Sequence, residues 1–268
     1  MMKNYLIVLL IFSSLTMWAD SSYAGIGAIP TYKEESSVAN TKITGSFNVY
    51  NTGDNAVDVD VYFKDYYKSE ENKSIRSKHW LHVRPMKFNL GPKANREVKY
   101  IARVPEDAVG EIMTLIFFRA PSAPESNVMM SFGVSLYVAI EGTEILNGEI
   151  ENINIEKIFA PAGGNPPQYN IKVILKNSGN VHLRPQINIK MYKDKKVLKT
   201  VDFPYGWPVF PGSDYEYIAS WQEREFKFKQ GSYKAVAEVK IGDQELKRAT
   251  AFYSDKDGNI KMKRIKDK

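Results

Sequence analysis

The chain has 268 residues, 43% of them hydrophobic, a net charge of +6 and no cysteine. The missing thiols exclude a disulfide framework, a lipid-modified cysteine and a thiolate metal centre, so the fold must be held by hydrophobic burial alone. The positive charge is scattered, and its one cluster, Lys261, Lys263, Arg264, Lys266 and Lys268, lacks the aromatic partners of a nucleic-acid surface, so no nucleic acid is expected as a partner.

Residues 1–24 read as a secretory signal peptide, with Lys3 as the positive region, Leu6 to Phe12 as the apolar run and Ser22-Tyr23-Ala24 as the cleavage site. That run is too short to span a bilayer, so the mature protein is expected to be exported, periplasmic or secreted, without stable membrane insertion. What remains suits two ordinary domains.

From Gly25 onward the pattern is that of strands. ITGSFNVYN and VDVDVYFKDY flank the turn Thr52-Gly53-Asp54-Asn55, and Val57, Val59, Val61 and Phe63 alternate with polar partners. Trp80 to Val83 leads into an extended edge segment with Pro85 and Pro92. Val98, Tyr100, Ala102 and Val104 form the next alternating strand, and the apolar run Ile112 to Phe118 predicts a central strand covered on both faces. GVSLYVAIEG closes this half, with Val134, Leu136, Val138 and Ile140 on one face and Ser135, Tyr137 and Ala139 on the other. A second unit starts near Gly142. Ile153 and Ile155, then Tyr169 to Leu175, Ile187 to Met191, Tyr215 to Trp221 and Tyr233 to Ile241 all alternate, broken by a proline loop at 161–167 and the turn Asn177-Ser178-Gly179-Asn180. The predicted fold is all-β: after the signal peptide, two immunoglobulin-like antiparallel β-sandwich domains in tandem, over 25–142 and 143–256, with a basic, frayed tail over 257–268.

Catalytic and metal chemistry finds no constellation. His79 and His82 have metal-like spacing, but on an extended strand they face opposite sides. Asp255-Lys256-Asp257-Gly258 reads as a hairpin turn, since Tyr253 and Arg264 stand where a calcium loop needs carboxylates. No nucleophile elbow, P-loop or dinucleotide fingerprint is present. Neither enzyme activity nor any cofactor is expected.

Four segments in order, FNVYNTGDNAVDVDVYFKD, WLHVRPMKFNLGPKANREVKYI, VPEDAVGEIMTLIFFRAP and GVSLYVAIEG, resemble strands B to G of the N-terminal domain of PapD-like periplasmic pilus chaperones. Residues 25–142 are similar to the family as a distant member, and also to the WxL-interacting secreted proteins, whose C-terminal anchor this chain lacks. The resemblance implies an assembly factor for pilin-like secreted subunits that binds clients by β-strand addition. It implies Val134, Leu136, Val138 and Ile140 as donors, with Lys33 the one residue able to stand in for the family's cationic anchor, because Ser135 to Glu141 contains no lysine. An edge of that kind would also allow a homodimer. Two alternatives stay open: that the four donors instead finish this domain's own core, and that the protein is a non-catalytic structural or adhesive binding module of the cell envelope.

Overall fold

The computed structural model describes residues 25–65, 72, 75–122, 126–158, 168–222 and 228–263. Residues 1–24, expected to be a signal peptide, residues 161–167, and Arg264, Lys266 and Lys268 of the basic cluster lie outside the described residues.

The all-β expectation holds, as two stacked-sheet units. The first is built from β1 (Ile26–Ile29), β2 (Tyr32–Ser37), β3 (Lys42–Asn51), β4 (Val57–Lys64), a single helical turn α1 (Ser77–Trp80), β5 (Leu81–Arg84), β6 (Lys87–Leu90), β7 (Asn95–Arg103), β8 (Glu111–Pro121) and β9 (Met129–Ile140). One sheet runs β1-β3-β7-β5 and the facing one β2-β9-β8-β4-β6. The alternation decides which side chains meet between them. Val57, Val59 and Val61 point inward with Phe47, Val49, Val98, Tyr100, Phe118 and Leu136, all in one buried cluster. β8 is central, and Ile112 to Thr114 are buried on both its faces, as the unbroken apolar run predicts.

The first strand changes sheets. β1 pairs with β3, then after Pro30 the chain continues as β2, parallel to β9 from Tyr32 opposite Ser135 to Ser37 opposite Ile140. β2 has the sequence YKEESS and buries none of its side chains fully. It is a strand by its ladder, not by its side chains.

The second unit comprises β10 (Gly148–Ile158), β11 (Gln168–Asn177), β12 (Gln186–Lys193), β13 (Lys196–Asp202), β14 (Asp214–Gln222), β15 (Gly231–Ile241), β16 (Gln244–Ser254) and β17 (Ile260–Lys263). Its sheets are β10-β11-β14 and β13-β12-β15-β16-β17. Phe228 sits at the centre of its core, with its ring edge-on to Tyr169, Trp221, Tyr233 and Phe252. The basic tail needs correction at its start. Residues 260–263 are β17, paired with β16, because Asp255 accepts from the backbone N–H of Asp257 and Asn259 and turns the chain back. Ile260 and Met262 then pack on the second core.

The two halves share a device that their sequences only hint at. Asn51 donates to the carbonyl of Asn55 and accepts from the N–H of Gly53; Asn177 does the same with Val181 and Gly179. Each amide also reaches across its sandwich, to Leu90 and Gly91 in the first and to Val209 in the second. Asn177 has no exposed surface. Asn177→Ala leaves the buried Val181 carbonyl without its amide donor, while the Val209 carbonyl keeps the Leu183 N–H, and is expected to lower stability by about 2 kcal/mol, read as a shift in urea midpoint at unchanged slope.

The connection between the halves is bonded along its length. Thr143 Oγ1 accepts from the Gly110 N–H and donates to the Ile140 carbonyl. Asn180 from the second unit accepts from Ile145 N–H and donates to the Thr143 carbonyl, while its own N–H bonds Ile145. Among the described residues no helix is long and apolar enough to cross a membrane.

Candidate functional site

The site follows from where β2 stops. β9 runs from Met129 to Ile140, and β8 pairs with all of it, but β2 covers only Ser135 to Ile140. Among the described residues no strand pairs with the outer edge of 129–134. The inward side chains at that end are Met130 and Phe132, partly buried and packed against the core, and Val128 just before them is 65% exposed. An unpaired edge carrying an alternating apolar row is a template for another strand. The other edge strands of this half are short: β1, β5 and β6 have four residues each and the polar β2 has six, and β6 opens on Lys87.

The four residues implied as donors face inward in this structure. Val134, Leu136, Val138 and Ile140 have relative exposures of 0–1% and lie in this domain's own core, beneath β2. The alternation does continue past them towards the N-terminal end of β9, and there the core is half open. Lys33 also departs from its expected place. Odd-numbered residues of β2 face the sandwich interior, and the Lys33 ammonium sits 5.5 Å from the Tyr100 ring centroid and 5.9 Å from that of Phe47.

On the outer face of β8 and β9 the two units enclose a groove of about 510 Å³. Leu115, Phe117 and Tyr137 form its floor, and Trp207, Pro208 and Phe210 of the β13–β14 connection form its wall. Trp207 is 66% exposed, and its carbonyl accepts from the Tyr217 hydroxyl, which fixes the loop beneath it. The cation of the groove is Arg184, which comes from the second unit and not from β2; its guanidinium lies 4.3 Å from the Tyr32 ring centroid and 5.4 Å from that of Tyr137.

Beside the groove, next to the Tyr137 and Arg184 that line it, four charged groups join the halves. His182 bonds Glu111 through Nδ1 and Glu34 through Nε2, and Arg184 Nε donates to Glu34. With a carboxylate at each ring nitrogen, the doubly protonated imidazolium is the form that satisfies both. Burial opposes that charge, but the bonds to Glu111 and Glu34 outweigh it and raise the His182 pKa. The Glu34 carboxyl is held down to about 2, mainly by the His182 bond and, against some burial, by Arg184. Tyr137 stacks under the imidazole at 4.2 Å between centroids. His79 and His82 are exposed, and among the described residues no cluster of histidine and acidic side chains could hold a metal.

Sequence reasoning missed this cluster, although two signals were present. His182 and Arg184 are two apart in an extended segment and so face the same way, and Glu111 is a lone acid opening an apolar strand.

No family model and no curated protein matches the chain. Among solved structures, it is similar to the class 5 fimbriae chaperone CfaA, with 14% identity and a TM-score of 0.43, over 84% of this chain and 98% of that one. It is also similar to the Pseudomonas aeruginosa CupB2 chaperone, with 12% identity and a TM-score of 0.42, over 83% and 97%. A third is the CsuC–CsuE chaperone–tip adhesion subunit pre-assembly complex of Acinetobacter baumannii Csu pili, with 12% identity and a TM-score of 0.39, over 84% and 97%.

Proposed function

We propose that the protein is an exported, periplasmic, non-catalytic assembly factor that holds pilin-like secreted subunits by β-strand addition along residues 129–134. One observation carries this reading: the outer edge of β9 is unpaired where Val128, Met130 and Phe132 leave the core half covered. A strand laid there gains ladder hydrogen bonds, and its alternate side chains meet Met130 and Phe132 on one face and the Phe117–Trp207 groove on the other. Nothing in that process needs ATP, metal or a cofactor. Without a client, the same edge invites a second copy, so a concentration-dependent homodimer accompanies the proposal.

The test is capture from the native envelope by the tagged mature protein, with Phe132→Asp alongside. The expected result is recovery of one small β-rich subunit by wild type, at least about a hundredfold less by the variant, with the amides of 129–134 protected from exchange in the complex. Equal recovery by both proteins would place the binding surface elsewhere and favour the adhesive-module alternative.

A further inference from the structure

β2 combines two properties that seldom meet in one strand. It covers the lower half of the β9 edge, yet its six side chains contribute no fully buried apolar group. Its inward contacts are polar or cationic, through Lys33 over two rings and Glu35, which accepts from the Tyr100 hydroxyl at 2.7 Å. Two of its three outward side chains contact the other half of the molecule: Tyr32 lies under the Arg184 guanidinium, and Glu34 is bonded by both His182 and Arg184, while Ser36 donates to Glu141 of its own half. A strand with little apolar burial belongs to the low-stability end of local unfolding. Charge-assisted bonds from a neighbouring domain are then a large share of what keeps it seated.

We infer that β2 is a latched cover strand: the second domain, through His182 and Arg184, holds it over Ser135–Ile140, and its release lengthens the open edge of β9 from 129–134 to 129–140. The charged cluster at the domain boundary thereby sets how many residues of β9 a partner strand can pair with. The occupant of the lengthened edge is the same subunit strand as above, and this consequence rests on the strand-addition reading. The latch itself does not.

The experiment is amide hydrogen exchange on the client-free mature protein, comparing wild type with Glu34→Gln and Arg184→Ala. Both substitutions are on partly exposed side chains and leave the His182–Glu111 bond in place. In both variants the amides that join β2 to β9, every second one of 32–37 and of 135–140 counted from Ser135, are expected to exchange at least about tenfold faster, while the amides bonded to the β8 side and those of β3 and β11 keep their wild-type rates. Wild-type rates over 32–37 in both variants would overturn the inference, as would uniform acceleration that includes β3 and β11. A second arm adds the captured subunit. In Glu34→Gln, protection should spread from 129–134 into 135–140; protection still confined to 129–134 would overturn the lengthening. Failure of strand addition shows separately, as equal capture by Phe132→Asp, and leaves the client-free exchange result intact.

Discussion

Leu136→Asp is expected to abolish the cooperative unfolding transition of the first sandwich, while Phe132→Asp, on the same strand and the same face, leaves it in place. Leu136 is fully buried, with β2 beside its backbone and Val134 and Val138 on the same strand face. Losing its burial costs about 2–3 kcal/mol, and a carboxyl group left there without a partner costs several more. That sum reaches the lower end of the 5–15 kcal/mol or so that holds a domain together. Phe132 is only partly buried, at the end of β9 that no second strand covers, so an aspartate there keeps access to water. Circular dichroism during urea titration separates the two variants. If Leu136→Asp folds like wild type, the core assigned to β9 is wrong.

His182→Ala is expected to uncouple the two halves. Glu111 keeps 9% of its surface, and removing the imidazolium leaves its carboxylate at a buried boundary. Breaking such a pair from one side costs about 3–5 kcal/mol. The loss should appear as two separated unfolding transitions in place of one. The pH dependence has a definite sign. His182 has its pKa raised in the fold above the ordinary 6.5, so its contribution is complete below that value and fades as pH rises through the raised one. Glu34 is lowered from 4.5 to about 2, so its contribution is complete above 4.5 and fades as pH falls towards 2. The groups facing the imidazole are Glu34, Glu111, Arg184 and the Tyr137 ring, and burial raises the Tyr137 pKa and keeps it neutral across this range. Coupling between the halves should therefore be strongest between about pH 4.5 and 6.5, and His182→Gln should remove the alkaline side of the dependence and weaken the acid side, because the His182 bond is the main cause of the lowered Glu34 pKa.

Most strands were legible because their inward side chains are apolar and regularly spaced. Val57 to Val61 and Tyr169 to Leu175 announce themselves, and Ile112 to Thr114 betray a strand covered twice. β2 was not legible, since YKEESS carries no apolar period and is a strand only through its pairing with β9. The point where the edge opens was hidden for the same reason. The alternation from Val128 to Ile140 is continuous, and nothing in it marks the point where β2 begins and the edge closes. That point is set by Pro30, a hundred residues away, where the chain leaves one sheet for the other. Glu34, Glu111 and the His182–Arg184 pair lie far apart in the chain, and only the stacking of one sandwich on the other makes them a cluster.

The bonded connection at Thr143, Ile145 and Asn180 has a consequence for how a partner is met. A loosely tethered pair of sandwiches would tumble with two correlation times, and each encounter would have to find the groove at a workable width. Here the joint is fixed by the same hydrogen bonds that complete the strands on either side, so the trough between Phe117 and Trp207 exists before anything arrives. The entropy of aligning the two walls is lost when the chain folds, not when a ligand docks. Association then depends on orientation and diffusion alone, and backbone relaxation should describe one anisotropic rotor.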